Sequence, residues 1–304
     1  MTKQPITQSQ KRFQDSLGSL FRPNDLKPCD FVFLKSSSDV GVQRNGGRNG
    51  ARLAPQSFIS YLKKLNIKPS LQNKYFSEFE VSIPEEELED FHVAQQKEAH
   101  RIGVVIEAHP KSNLVHLGGG HDHIYPLLKA LSLTYKKIIV LNVDAHADTR
   151  TDEHFHSGTP FRQFSEEYLG DFMLIQLGLL EFANSASTMS PLTKGESHVI
   201  WRHELINTDK IKTIISEVEN RIDQNTAVIF SLDADALNAA DMPGVSAVNG
   251  HGLTREELNQ LWLMYRELPL VHKPIMGIYE LNPVYDTLSM TSMRTLGTFV
   301  YECF

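Results

Sequence analysis

The chain has 304 residues, of which 41% are hydrophobic and 22% charged, a composition that excludes a disordered chain, a collagen-like repeat and a coiled-coil rod. The formal charge of −7 argues against a general nucleic-acid binder, and no apolar run approaches the roughly 18–20 residues of a membrane helix. Residues 1–5 lack the apolar core of a signal peptide, and Cys29 and Cys303 are too few for a disulfide framework, so a soluble cytoplasmic protein is expected, with no nucleic-acid or membrane partner.

The first 25 residues are polar, with Phe13, Leu17 and Leu20 spaced along one side of a short helix. Residues 29–34 read as a buried strand, and residues 40–52 as a loop rich in glycine and arginine. A helix is expected over 55–65, with Pro55 near its start, where proline fits. Another is expected over 92–108. The strand 114–117 runs into Gly118-Gly119-Gly120, and a helix follows over 124–132. Further strands are expected at 138–141, 173–177, 198–201, 227–230 and 275–279. Between them, residues 209–223 carry an isoleucine-rich stripe. Thr254 and Glu257 form a capping box for the next helix. Residues 287–302 read as a terminal helix.

Continuously apolar strands alternating with amphipathic helices imply a mostly parallel sheet covered on both faces. With no linker and no internal repeat, one domain over 1–304 is the simplest reading, with 1–28 as an N-terminal extension. In such sheets ligands bind beyond the carboxyl ends of the strands. Three strand ends there carry unusual residues. They are Gly118-Gly119-Gly120-His121, Asp144-Ala145-His146-Ala147-Asp148 and Ser231-Leu232-Asp233-Ala234-Asp235. Positions i, i+2 and i+4 of an extended chain share a side, so the carboxylates cluster and repel unless cations neutralise them. Four aspartates and two histidines suit two divalent cations. Hard oxygen donors with a little imidazole favour Mn²⁺.

These motifs, in this order, resemble those of the ureohydrolase family, which includes arginase and agmatinase. Glu280-Leu281-Asn282-Pro283 matches the family's fourth motif. The resemblance implies an α/β fold, a three-layer α/β/α arrangement around a central, mostly parallel sheet of about eight strands. It also implies two Mn²⁺ ions per subunit and a homo-oligomer. By the family pattern, His121, Asp144, Asp148 and Asp233 hold one metal. Asp144, His146, Asp233 and Asp235 hold the other.

Aligned on Gly158-Thr159-Pro160-Phe161, Ser157 stands where arginase-like and agmatinase-like members carry a histidine. The string Ser157-Gly-Thr-Pro-Phe-Arg-Gln163 resembles the formimidoylglutamase branch, and so does the early segment 44–51. This implies a small-molecule hydrolase that cleaves N-formimidoyl-L-glutamate to L-glutamate and formamide. Asp148 and Glu280 are the expected catalytic residues. Arg150 suits one substrate carboxylate, since guanidinium grips carboxylate bidentately. Arg162 and the arginines of 44–52 suit the second, and Ser157 is a further substrate contact. Other guanidino hydrolases on the same scaffold, a one-zinc relative and a non-catalytic binding subunit remain alternatives at this point.

Overall fold

The computed structural model describes residues 12–22, 27–84, 90–205 and 208–304. Eight parallel strands form one sheet: β1 (Phe31–Ser36), β2 (Phe76–Glu80), β3 (Asn113–Gly118), β4 (Lys137–Val143), β5 (Asp171–Leu179), β6 (Glu196–Trp201), β7 (Thr226–Asp233) and β8 (Ile275–Tyr279). Their order is β2-β1-β3-β8-β7-β4-β5-β6. The last strand therefore inserts between β3 and β7 at the centre of the sheet.

Each strand feeds two cores because successive side chains point to opposite faces. Ile138 and Val140 of β4 join one buried cluster, and Ile139 and Leu141 the other. The first face is covered by α3 (Phe91–Ala108), α4 (Ile124–Leu131) and α5 (Pro160–Glu167), through Ile102, Leu128, Phe161 and Phe164. The second is covered by α2 (Ala54–Leu62), α6 (Thr208–Arg221), α7 (Arg255–Glu267) and α8 (Thr291–Cys303), through Phe58, Val218, Trp262 and Phe299. The expected three-layer α/β/α arrangement is what the chain adopts. No helix among the described residues is long and apolar enough to cross a membrane.

Strand 275–279 lies where its apolar run predicts. The other six predicted strands extend or shift by one to three residues, since polar residues at strand ends still pair. Strand β2 has no counterpart in the sequence reading. Three of its five residues, Phe-Ser-Glu-Phe-Glu, are polar, as an edge position allows, with Glu80 exposed and Glu78 half-buried. Segment 40–52 is not all loop, since α1 (Val40–Arg44) occupies its start. The stripe expected from Phe13, Leu17 and Leu20 also needs correcting. Leu17 is fully buried, but Phe13 is 60% exposed, because the chain turns into a 3₁₀ segment at Leu17–Leu20. The terminal helix begins at Thr291, four residues later than expected, where the Asp286 carboxylate accepts the backbone N–H groups of Ser292 and Met293. The capping box forms as predicted. Thr254 Oγ1 accepts from Glu257 N–H at 3.2 Å, and Glu257 Oε2 accepts from Thr254 N–H at 2.8 Å.

Candidate metal centre

Four neighbouring strands, β3, β8, β7 and β4, end at one place. β3 passes through the glycine turn to His121. β4 ends at Val143, directly before Asp144. β7 ends at Asp233, and Asp235 follows in a 3₁₀ turn. β8 ends at Tyr279, directly before Glu280. Sheet topology thus gathers residues that are up to 159 positions apart, as in the bond from His121 N–H to Glu280 Oε1 at 3.0 Å.

His121 Nδ1 is completely buried. Carboxylate oxygens of Asp148, Asp144 and Asp233 stand 3.0, 3.1 and 3.1 Å from it, yet none completes a hydrogen bond to it. Four donors converging on one point without bonding one another is the pattern of a cation site. Burial and the facing carboxylates push Asp144 up to about 6 and raise Asp233 well above the usual carboxylate range. A cation relieves that repulsion.

The potential donors fall into two groups that share Asp144. One is His121, Asp144, Asp148 and Asp233, and the other is Asp144, His146 and Asp235. In the second, His146 Nδ1 lies 3.2 Å from Asp235 Oδ2 and 3.8 Å from Asp144 Oδ1. All six residues expected as ligands are therefore brought together. The aspartates are also oriented by the backbone. His146 N–H donates to Asp144 Oδ1 at 2.7 Å, and Asp235 N–H to Asp233 Oδ1 at 2.8 Å.

Residues to which the sequence reading assigned no role complete the centre. Ser231 Oγ lies 3.0 Å from His121 Nε2, fixing the ring from its far side. Tyr279 stacks on the His121 ring at 4.8 Å between centroids, and Phe161 meets it edge-on. Ser231 and Tyr279 lie on strands in hydrophobic runs, so only three-dimensional placement reveals them. Asp148 and Glu280 have φ values of 51° and 63°. Such left-handed backbone is unfavourable for residues with a side chain and concentrates at functional sites.

Beside these donors lies a cavity of about 370 Å³, lined among others by Asn45, His146, Asp148, Arg150, Ser157, Asp233, Asp235 and Glu280. Glu280 is buried beneath it. Burial foremost, with help from Asp235, Asp148 and Asp122, pushes its carboxyl up to about 8, against the lowering effect of the His121 N–H. Arg150 reaches the cavity with its guanidinium held on two sides. Nη1 donates to Asn45 Oδ1 at 2.8 Å and Nη2 pairs with Asp152 Oδ2 at 2.7 Å. Asn45 also donates to Ser157 Oγ at 3.2 Å.

Arg162 is not brought to the cavity. It follows buried Phe161 by one residue on α5, which rotates it about 100° around the helix. There it pairs with Glu166 at 3.0 Å and donates to Pro191 O at 3.1 Å. Arg44 and Arg48 of the early segment also point elsewhere. Arg44 donates to Phe155 O, and Arg48 to Val245 O and Ser246 O. His156 faces away from the donors. It accepts from Gly158 N–H on Nδ1 and meets Asp152 with Nε2 at 2.8 Å. His123 is buried against Glu98 at 2.9 Å, and His251 is exposed.

The Arginase family model matches residues 30–304. The chain is similar to the formimidoylglutamase of Staphylococcus aureus, with 30% identity over 271 residues, 88% of this chain and 83% of that one. It is 34% identical to the formimidoylglutamase of Chromobacterium violaceum over 221 residues, 71% of this chain and 69% of that one. Among solved structures, Trypanosoma cruzi formiminoglutamase with Mn²⁺ superposes with a TM-score of 0.74 at 26% identity, covering 94% of this chain and 96% of that one.

Proposed function

The chain belongs to the arginase family, and from that premise we propose that it hydrolyses N-formimidoyl-L-glutamate to L-glutamate and formamide with two Mn²⁺ ions. The observation that carries the substrate choice is Arg150. It lines the cavity two residues beyond Asp148, with Asn45 and Ser157, and its guanidinium bonds Asn45; agmatine-like substrates offer it no carboxylate. Relatives named formimidoylglutamase over most of the chain support the same reading.

His121, Asp144, Asp148 and Asp233 would hold one ion, and Asp144, His146, Asp233 and Asp235 the other. Bound there, a pair of divalent ions lowers the pKa of water toward neutrality and so supplies the nucleophile. The chain's own residues do the rest. Arg150 grips one substrate carboxylate through its two-pronged face. Asn45 and Ser157 offer neutral polar groups beside it. Glu280 meets the protonated formimino nitrogen, whose positive charge makes the carbon electrophilic and offsets the buried carboxylate. Asp148 passes the water's proton to the leaving amine of glutamate. The C–N bond to glutamate breaks, and the formimino carbon leaves as formamide. A hydroxyl such as Ser157 does not titrate near neutrality, so it positions substrate and shuttles no proton.

The same proposal takes residues 1–304 as one domain, with residues 1–28 as an N-terminal extension, of which residues 1–11 and 23–26 lie outside the described residues. It also takes the protein as cytoplasmic and as a homo-oligomer; light scattering on the purified chain tests the second. For the reaction, Mn²⁺-loaded protein is mixed with N-formimidoyl-L-glutamate and followed by proton NMR. Formamide and glutamate appearing together support the assignment. No turnover here, with urea released from a guanidino substrate, overturns it in favour of a guanidino hydrolase.

A further inference from the structure

Between Asp144 and Asp148 the chain runs through Ala145, His146 and Ala147, and this loop delivers His146 and Asp148 to the centre. Two of its three residues have side chains too small to anchor it. Its backbone polar groups must therefore find partners elsewhere.

Those partners come from β5 and the turn behind it. Asn184 Oδ1 accepts from Ala147 N–H at 2.9 Å. Asn184 Nδ2 donates to Ala145 O at 2.8 Å and to Leu180 O at 2.9 Å. From beneath, Gln176 Nε2 donates to Ala147 O at 2.6 Å. Gln176 Oε1 accepts from Asn142 Nδ2 at 2.9 Å, and Asn142 Nδ2 also reaches Asp144 Oδ2 at 3.2 Å. Both backbone polar groups of Ala147 are thus held by amide side chains. The next residue, Asp148, has φ 51°, an unfavourable conformation that persists only where its surroundings enforce it.

We propose that Asn184 and Gln176 form an amide clamp that sets His146 and Asp148 for the metal pair, which makes Asn184 a positioning residue. Asn184 also lines the cavity, where a substrate contact would be the simpler reading. Both of its N–H donors, however, are already engaged by carbonyl oxygens, and its oxygen holds Ala147. Its chemistry is directed at the loop. An amide suits that place because Ala145 and Leu180 present acceptors while Ala147 presents a donor. A carboxylate meets only one of the three demands.

The clamp rests on the two-metal reading, and one titration separates the two claims. Free Mn²⁺ is followed by electron paramagnetic resonance as it is titrated into wild type, Asn184→Ala and Asn184→Asp. Wild type is expected to bind two ions per chain. Partners that orient metal ligands typically contribute 10- to 100-fold in affinity, so Asn184→Ala weakens Mn²⁺ binding about tenfold or more. Asn184→Asp keeps the bond from Ala147 N–H but sets an anion against two carbonyl oxygens, and it binds Mn²⁺ no better than Asn184→Ala. Thermal melts add a readout independent of turnover. The metal-free variants melt close to metal-free wild type, and their gain in Tm on adding Mn²⁺ shrinks, since that gain follows affinity. Wild type that binds no Mn²⁺ overturns the metal reading and the clamp with it. Two ions bound in wild type with unchanged affinity in folded Asn184→Ala overturns the clamp alone, as does an equal loss of Tm with and without metal.

Discussion

Replacing Arg150 by alanine tests the substrate assignment through a single contact. Asn45 and Asp152 aim the guanidinium before any ligand arrives. A hydrogen bond to a charged group contributes about 1.5–3 kcal/mol. The Arg150 side chain is 36% exposed, and Asp152 already draws on its charge, so solvent screening places the loss in the lower part of that range. About 1.5–2 kcal/mol corresponds to a roughly 10- to 30-fold fall in kcat/KM for N-formimidoyl-L-glutamate. The fall is carried by KM, because a carboxylate remote from the reacting carbon binds alike in the ground and transition states. A formamidine without carboxylates loses nothing. Arg150→Lys keeps the charge without the fork and recovers only part of the loss. Glutamate release from one substrate and formamide release from both give the rates. An equal loss on both substrates would refute the reasoning, because the substitution would then be acting on the 149–158 loop and not on a carboxylate.

Three further outcomes are expected. Asp233→Asn loses Mn²⁺ and turnover together, as metal analysis and a rate assay check; retained metal with normal turnover would remove Asp233 from the ligand set. Thr254→Ala removes one half of the α7 capping box and destabilises the fold by about 1 kcal/mol, seen as a fall in Tm of about 1–2 °C, with turnover unchanged. At the edge of the sheet, burial raises the Glu78 carboxyl, but Lys63 at 2.6 Å and Lys35 at 3.3 Å outweigh it and hold the pKa below its usual 4.5. A lowered carboxylate pKa stabilises the fold above its unfolded value and ceases to do so as the pH falls through the folded value. The Tm difference between wild type and Glu78→Gln is therefore full at pH 6–7 and vanishes in acid; a difference that grows in acid would contradict the pairing.

What was legible in the sequence follows from what the chemistry fixes locally. Two ions need several carboxylates and imidazoles at strand ends, and period-two spacing writes them as Asp144, His146 and Asp148 or as Asp233 and Asp235. Buried strands are apolar on both faces, so seven of the eight could be read. Strand β2 could not, because this edge strand carries two glutamates, Glu80 exposed and Glu78 half-buried against Lys63 and Lys35. The polar partners of the cavity arginine and of the 145–147 loop were hidden for another reason. Asn45 meets Arg150 from 105 positions away, and Asn184 meets Ala147 from 37 away. An asparagine in a turn carries no local sign of such a partner. Arg162 failed in the opposite sense. Its place beside the Ser-Gly-Thr-Pro-Phe string suggested the cavity, but helix α5 turns it to Glu166.

Charge balance links the centre to the kind of substrate. Asp144, Asp148, Asp233 and Asp235 carry four negative charges, which two divalent ions match. Glu280 is then left over. It lines the cavity, it is buried, and burial together with nearby carboxylates pushes its pKa up to about 8. A buried carboxylate without a counter-charge is unfavourable, and its left-handed backbone adds strain. A protonated amidine supplies the missing charge at the reacting carbon. A neutral amide would leave Glu280 protonated and forgo that ion pair, so the site favours amidines and guanidines over amides. Within that class Glu280 does not choose, because every amidinium satisfies it equally. On the function proposed above, selection falls to Arg150, the one arginine among the described residues lining the cavity, and hence to whether the remainder of the substrate ends in a carboxylate.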